Sequence, residues 1–328
     1  MAAGPQRPDE EALTMLTVRD LSVDYVQGGR TVRAVHDVSF DVPSGRAVAL
    51  VGESGSGKSS IALAIMRLIP PHSGDVHGTS VTLDGRELLH LSRAGMRGVL
   101  RTQIGYVPQD PTTALDPLCT VGRHITETLS TGGRRQKRSL AVATLDQLGV
   151  PDAVHRLDSY PHEFSGGMRQ RVAIAAALAK SPSLVIADEP TTALDVTTQL
   201  GIIRLLRRLQ RERDQSLLFV THNLAVARAL CDEVIVLYGG RIVESGPMSD
   251  VLAAPQHPYT RALIGCVPNL RLRARRLVAI RGSSVSVGDD AVGCAFAPRC
   301  DEADERCQRQ RPVLQPAGAS NVACWRAS

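Results

Sequence analysis

The feature that most constrains this chain is Gly52-Glu53-Ser54-Gly55-Ser56-Gly57-Lys58-Ser59, set between the apolar run Ala47–Val51 and a helical stretch Ser59–Leu68 that stops before Pro70-Pro71. Strand, glycine loop and helix in that order form a phosphate cradle. The loop through Gly52, Ser54, Gly55, Ser56 and Gly57 turns successive backbone N–H groups inward, and the helix that follows offers its positive end. Lys58 is placed for β- and γ-phosphates and Ser59 for Mg²⁺, with Ser60 beside it in the nucleotide-binding turn. An ordinary Gly/Ser turn would not need Lys-Ser in this register. The loop commits the chain to an α/β fold with a buried strand at its centre.

The remaining text agrees. Residues 1–15 are polar and read as a disordered lead. Period-two runs around Leu21–Tyr25, Val32–Val35 and Val38–Val42, broken by Gly28-Gly29, predict an N-terminal antiparallel β subdomain. Short strands follow at Val81–Leu83 and Ile104–Val107, then a helical segment over roughly 113–180. Leu184–Ala187 and Leu217–Val220 read as buried strands with the helix Val196–Arg213 between them, the pattern of a parallel sheet with crossover helices. Val234–Leu237 and Arg241–Val243 read as a closing pair around Gly239-Gly240. Composition shifts after Pro247, which places a boundary near residue 250 and leaves 251–328 as an extension.

A net charge of +5 invites a nucleic-acid reading, but the basic residues are scattered over Arg134–Arg138, Arg204–Arg213 and Arg271–Arg281. Aromatic residues are 3% of the chain, too few for base stacking, so no nucleic-acid partner is expected. No apolar run reaches the roughly 20 residues that cross a bilayer. Of seven cysteines, Cys119, Cys231 and Cys266 read as small core side chains.

Two further elements carry chemistry. Leu184-Val185-Ile186-Ala187 delivers Asp188 and Glu189 at a strand exit, where Asp188 can hold Mg²⁺ and Glu189 can polarise an attacking water. The octet Phe164-Ser165-Gly166-Gly167-Met168-Arg169-Gln170-Arg171 makes a second glycine turn at a helix start. With these in order, the chain resembles the ATP-binding cassette (ABC) ATPases over residues 16–250. The resemblance implies a RecA-like parallel core, the antiparallel β subdomain and an inserted helical subdomain. It also implies roles. Tyr25 would stack on adenine. Gln109 would touch Mg²⁺ and relay nucleotide state. Ser165, Gly166, Gly167 and Met168 would form the signature that caps ATP bound by another cassette. Ala193-Leu194-Asp195 would be the D-loop, and His222 the switch histidine on the γ-phosphate. Catalysis would fall to Glu189, His222 and Gln109, and Mg²⁺ to Ser59, Gln109 and Asp188. Phe164 and Met168 depart from the commonest signature residues without altering the Ser-Gly-Gly turn.

The segment His257-Pro258-Tyr259-Thr260, with Tyr106–Pro111 and Leu115-Asp116-Pro117, resembles the oligopeptide/dipeptide importer subfamily, which includes nickel importers. The last four cysteines, Cys294, Cys300, Cys307 and Cys324, follow neither the usual zinc spacing nor the compact ferredoxin pattern, so spacing alone leaves their use open. The resemblance favours a [4Fe–4S] cluster there, with zinc and a metal-free tail as alternatives. The expected cofactors are therefore ATP, Mg²⁺ and that cluster. The expected partners are a second, related cassette, two membrane permeases and an extracytoplasmic solute-binding protein, with this chain on the cytoplasmic face. Soluble ABC ATPases of DNA repair or translation form the competing class. They usually insert long modules, for which the stretch between Gln109 and Ser165 is short. An exporter ATPase would have no reason for the His-Pro-Tyr-Thr tail.

Overall fold

The computed structural model describes residues 13–191, 194–266, 280–283 and 291–327. Its strands in chain order are β1 (Thr14–Gln27), β2 (Arg30–Pro43), β3 (Ala47–Val51), β4 (Gly74–His77), β5 (Ser80–Leu83), β6 (Arg86–Glu87), β7 (Ile104–Val107), β8 (Leu184–Asp188), β9 (Ser216–Thr221), β10 (Glu233–Tyr238), β11 (Arg241–Pro247), β12 (Gln315–Ala317) and β13 (Ser320–Val322). They form two sheets. The first is antiparallel, in the order β2-β1-β5-β6, with β4 also on β1. The second runs β12-β13-β11-β10-β3-β9-β8-β7, and its neighbours from β10 to β7 are parallel.

The continuous apolar runs of the central strands have a physical cause, because both faces of the sheet are covered. Ala47, Ala49 and Val51 of β3, with Leu217 and Phe219 of β9, face one hydrophobic cluster; Val48, Leu50, Leu218 and Val220 face the other. The second cluster packs the helix Lys58–Ile65 and the antiparallel sheet. The first packs the helices Val121–Thr128, Arg134–Gln147 and Gly166–Leu178 of the helical segment, and also the tail through Tyr259 and Phe296. No helix among the described residues is long and apolar enough to cross a membrane.

Several boundaries differ from the sequence reading. The strand β1 begins at Thr14, inside the segment read as a lead, while residues 1–12 lie outside the described residues. The helix after the glycine loop ends at Ile65 rather than Leu68. Arg67 adopts φ 51, its N–H donates to the Ala64 carbonyl, and Leu68 N–H reaches back to Leu63. This left-handed cap closes the helix before the prolines act. Cys231 is a core residue as expected, but Cys119 and Cys266 are only half-buried.

The position near residue 250 is not a break in packing. Strand β13 pairs antiparallel with β11, matching Glu244 with Val322 and Ser245 with Asn321, so the last residues extend the central sheet by two strands. Glu244 is fully buried, and its two carboxylate oxygens accept the N–H groups of Gln256 (2.8 Å) and His257 (2.9 Å). That arrangement seats the helix Pro258–Gly265 against the main body.

Candidate nucleotide site

The glycine loop keeps its shape through glycine at Gly57. Its φ is +97, and a Cβ there would come 2.7 Å from the Ala34 carbonyl. Lys58 is almost wholly buried, and its Nζ donates to the carbonyls of Gly52 (2.9 Å) and Glu53 (2.7 Å) and to Ser56 Oγ (3.4 Å). Burial lowers its pKa, against the opposing pull of the Glu189, Asp188 and Glu53 carboxylates. Ser59 Oγ donates to Asp188 Oδ1 at 2.9 Å, which joins the helix start to the exit of β8. Burial raises the Asp188 pKa, with Ser59 opposing. A hydroxyl and a buried carboxylate side by side are a suitable oxygen pair for a hard cation such as Mg²⁺.

One residue on, Glu189 sits at φ 44, a left-handed conformation that turns its side chain out of the strand. Its Oε2 accepts from Gln109 Nε2 at 3.3 Å and lies 3.0 Å from His222 Nδ1. The strand exits of β7, β8 and β9 thus bring Gln109, Glu189 and His222 to one carboxylate. Tyr25 reaches the same region from the antiparallel sheet, its hydroxyl donating to Ser60 Oγ at 3.2 Å.

The octet stands apart from this network. Ser165 caps the helix Gly166–Leu178 by accepting the Met168 N–H, and Gly167 lies against Thr198, where a Cβ would come 2.8 Å from Cγ2. Phe164 is buried under the Arg156 guanidinium. Asp195 caps the helix Val196–Glu212, accepting the N–H groups of Thr197 and Thr198 at 3.0 Å; Ala193 lies outside the described residues.

The four late cysteines line one cavity with His257, Phe296 and Trp325. Burial pushes the thiols of Cys294, Cys300 and Cys324 up. Among the described residues no group of three or more His, Cys, Asp or Glu is arranged to hold a single metal ion.

Neither Glu53 nor Arg299 was given a role from the sequence, and Tyr259 entered there only as part of the tail motif. The Glu53 N–H donates to the Tyr259 hydroxyl at 2.9 Å, and its carboxylate meets Arg299 at 2.7 and 3.1 Å. Tyr238, Tyr259 and Phe296 pack ring against ring beneath that contact, with centroids 4.6 to 5.4 Å apart. A contact between residues so distant in the chain leaves no local signal in the sequence.

Comparison with known proteins agrees with this geometry. The ABC transporter family model matches residues 35–192, and the model for the oligopeptide/dipeptide transporter C-terminal region matches 243–307. The chain is 46% identical to the "Probable peptide ABC transporter ATP-binding protein y4tR" of Sinorhizobium fredii, over 96% of this chain and 95% of that protein. It is 42% identical to the dipeptide transport ATP-binding protein DppD of Bacillus subtilis, over 95% and 94%, and 41% identical to DppD of Escherichia coli, over 92% and 93%. Among solved structures it is similar to the dimeric bacterial ABC transporter cassette MJ0796, with TM-score 0.64 and 29% identity over 71% of this chain and 99% of that one. The same cassette has also been seen as a dimer bound to ADP and Pi, with TM-score 0.63. The fold, the phosphate loop and the match along nearly the whole length lead to one assignment: this chain is an ATPase belonging to the ATP-binding cassette proteins of the peptide and dipeptide transporter family.

Proposed function

We propose that this chain hydrolyses ATP to power the import of oligopeptides, dipeptides or a similar small solute. It works at the cytoplasmic face of the membrane, joined to a second, related cassette and two permease subunits, and supplied by an extracytoplasmic solute-binding protein. The observation that carries this reading is the likeness to peptide and dipeptide transport ATPases over more than nine-tenths of the chain, C-terminal region included.

Within the site, Lys58 and the N–H groups of the loop hold the β- and γ-phosphates, Ser59, Asp188 and Gln109 hold Mg²⁺, and Tyr25 stacks on adenine. Glu189 orients and deprotonates the attacking water, with His222 on the γ-phosphate. Chemistry of this kind is positioning and charge neutralisation. Ser165, Gly166, Gly167 and Met168 face the nucleotide of the partner cassette, consistent with a signature turn that among the described residues bonds within its own helix start. The test is reconstitution of the complete transporter in proteoliposomes. Peptide delivered by the binding protein is expected to stimulate ATP hydrolysis and appear in the lumen; stimulation by no peptide would sink the peptide reading.

We propose a [4Fe–4S] cluster at the tail cysteines on the resemblance of this tail to cluster-bearing ones, since four thiolates suit iron–sulfur and zinc alike. What supports one shared site is that all four thiols line a single cavity; in a cubane each would ligate one of the four irons. Cys294, Cys300, Cys307 and Cys324 would be its ligands, and the group would serve as a crosslink between separate tail segments. Anaerobically purified protein is expected to be brown and to carry about four irons per chain, with the colour lost in Cys307→Ser. A colourless, iron-free wild type would remove the cluster.

A further inference from the structure

The contact between the tail and the phosphate loop is built to an unusual degree. Arg299 is 6% exposed at its side chain, and each of its five N–H groups has a partner. Nε donates to the Arg281 carbonyl (2.7 Å), Nη1 to Glu53 Oε2 (2.7 Å) and the Tyr238 hydroxyl (3.2 Å), and Nη2 to Glu53 Oε1 (3.1 Å) and the Ile280 carbonyl (3.4 Å). The guanidinium also lies over the rings of Tyr238 and Phe296.

Its partner is the second residue of the phosphate loop. Glu53 is held at three points: its carboxylate by Arg299, its N–H by Tyr259, and its carbonyl by the Lys58 ammonium. Two of those three holds come from the tail. The third is the lysine meant for the β- and γ-phosphates, so any shift of Glu53 is passed to Lys58. Glu53 also brings a negative charge to a loop whose ligand is a polyanion. Without a counter-ion that carboxylate would repel ATP, and the fork of Arg299 both neutralises it and turns it toward the tail.

We propose that Arg299 is a positioning residue for ATP binding, through which the C-terminal extension neutralises Glu53 and fixes the phosphate loop. The role rests on the ATP site alone and holds whatever solute is carried and whatever fills the cysteine cavity. A phosphate loop that borrows its charge balance from the tail makes the extension part of the nucleotide site.

The test compares full-length wild type, Arg299→Ala, Arg299→Lys and the double variant Arg299→Ala/Glu53→Gln. The readouts are the KM for ATP, kcat, equilibrium binding of a fluorescent ATP analogue with Mg²⁺, and thermal unfolding. Arg299→Ala is expected to raise KM and Kd about tenfold with kcat within about twofold, and adding Glu53→Gln should recover most of that loss. Arg299→Lys keeps the charge but loses the fork, and is expected to fall between, at about threefold. If Arg299→Ala does not fold, the lysine variant decides, and a wild-type KM in it overturns the proposal. A lowered unfolding temperature with unchanged KM would make Arg299 an anchor of the tail and nothing more. A double variant as weak as Arg299→Ala would refute the charge argument. Wild type that fails to bind ATP at all would instead sink the nucleotide site itself, a result the variants cannot mimic.

Discussion

Glu189→Gln is expected to bind ATP with affinity within about threefold of wild type while turnover falls at least about a hundredfold, in the range associated with losing a general base. The substitution keeps size and shape and removes only the capacity to take a proton. The geometry points to this residue rather than its neighbour. Asp188 is buried and already accepts from Ser59, whereas Glu189 is turned out of the strand end and shared between Gln109 and His222. Its left-handed backbone is a cost that an ordinary strand exit would avoid, and such strain persists where the surrounding structure holds it for a purpose. Because ATP would stay bound between two cassettes, the variant complex should retain nucleotide through gel filtration when wild type releases ADP. Turnover near the wild-type rate would remove Glu189 from the reaction.

What the sequence reveals about this site follows the range of the interactions. Lys58, Ser59, Asp188, Glu189 and His222 each sit at a strand exit or helix start whose local pattern is readable, and parallel strands bring those exits to one edge of the sheet. Their placement follows once strand order is known. Asp195 is a different case, since its spacing suits a D-loop and its side chain caps the next helix. The Glu53–Arg299 pair is separated by 246 positions, and no periodicity or motif spacing relates a loop residue to an arginine that precedes a cysteine. The shift of composition near residue 250 likewise says nothing of how the extension packs. Composition changes there, but Ser320–Val322 returns to pair with β11, and backbone pairing of distant segments is invisible to composition. Arg67 shows the smaller version of this effect, where a single left-handed residue ends a helix that the prolines were expected to stop.

Lys58→Ala should show how much of ATP binding rests on one buried charge. Lys58 is 4% exposed, so its field acts largely through protein rather than water, and burial already lowers its pKa. Polyphosphate is the ligand that would satisfy such a cation most fully, through charge-assisted bonds about twice as strong as neutral ones. Truncation is expected to weaken MgATP binding about a hundredfold or more, close to 2.7 kcal/mol. The protein alone is expected to lose some stability as well. The groups that lose a donor are the Gly52 and Glu53 carbonyls and Ser56 Oγ, and Gly52 and Ser56 are buried. Thermal unfolding separates the two quantities. At a concentration of a hundred times the wild-type Kd, MgATP adds about 2.7 kcal/mol to wild type, while a variant weakened a hundredfold gains only about 0.4. The unfolding temperature of Lys58→Ala should therefore barely rise when MgATP is added. A full nucleotide-induced shift in the variant would mean that the loop's N–H groups hold the phosphates without the lysine.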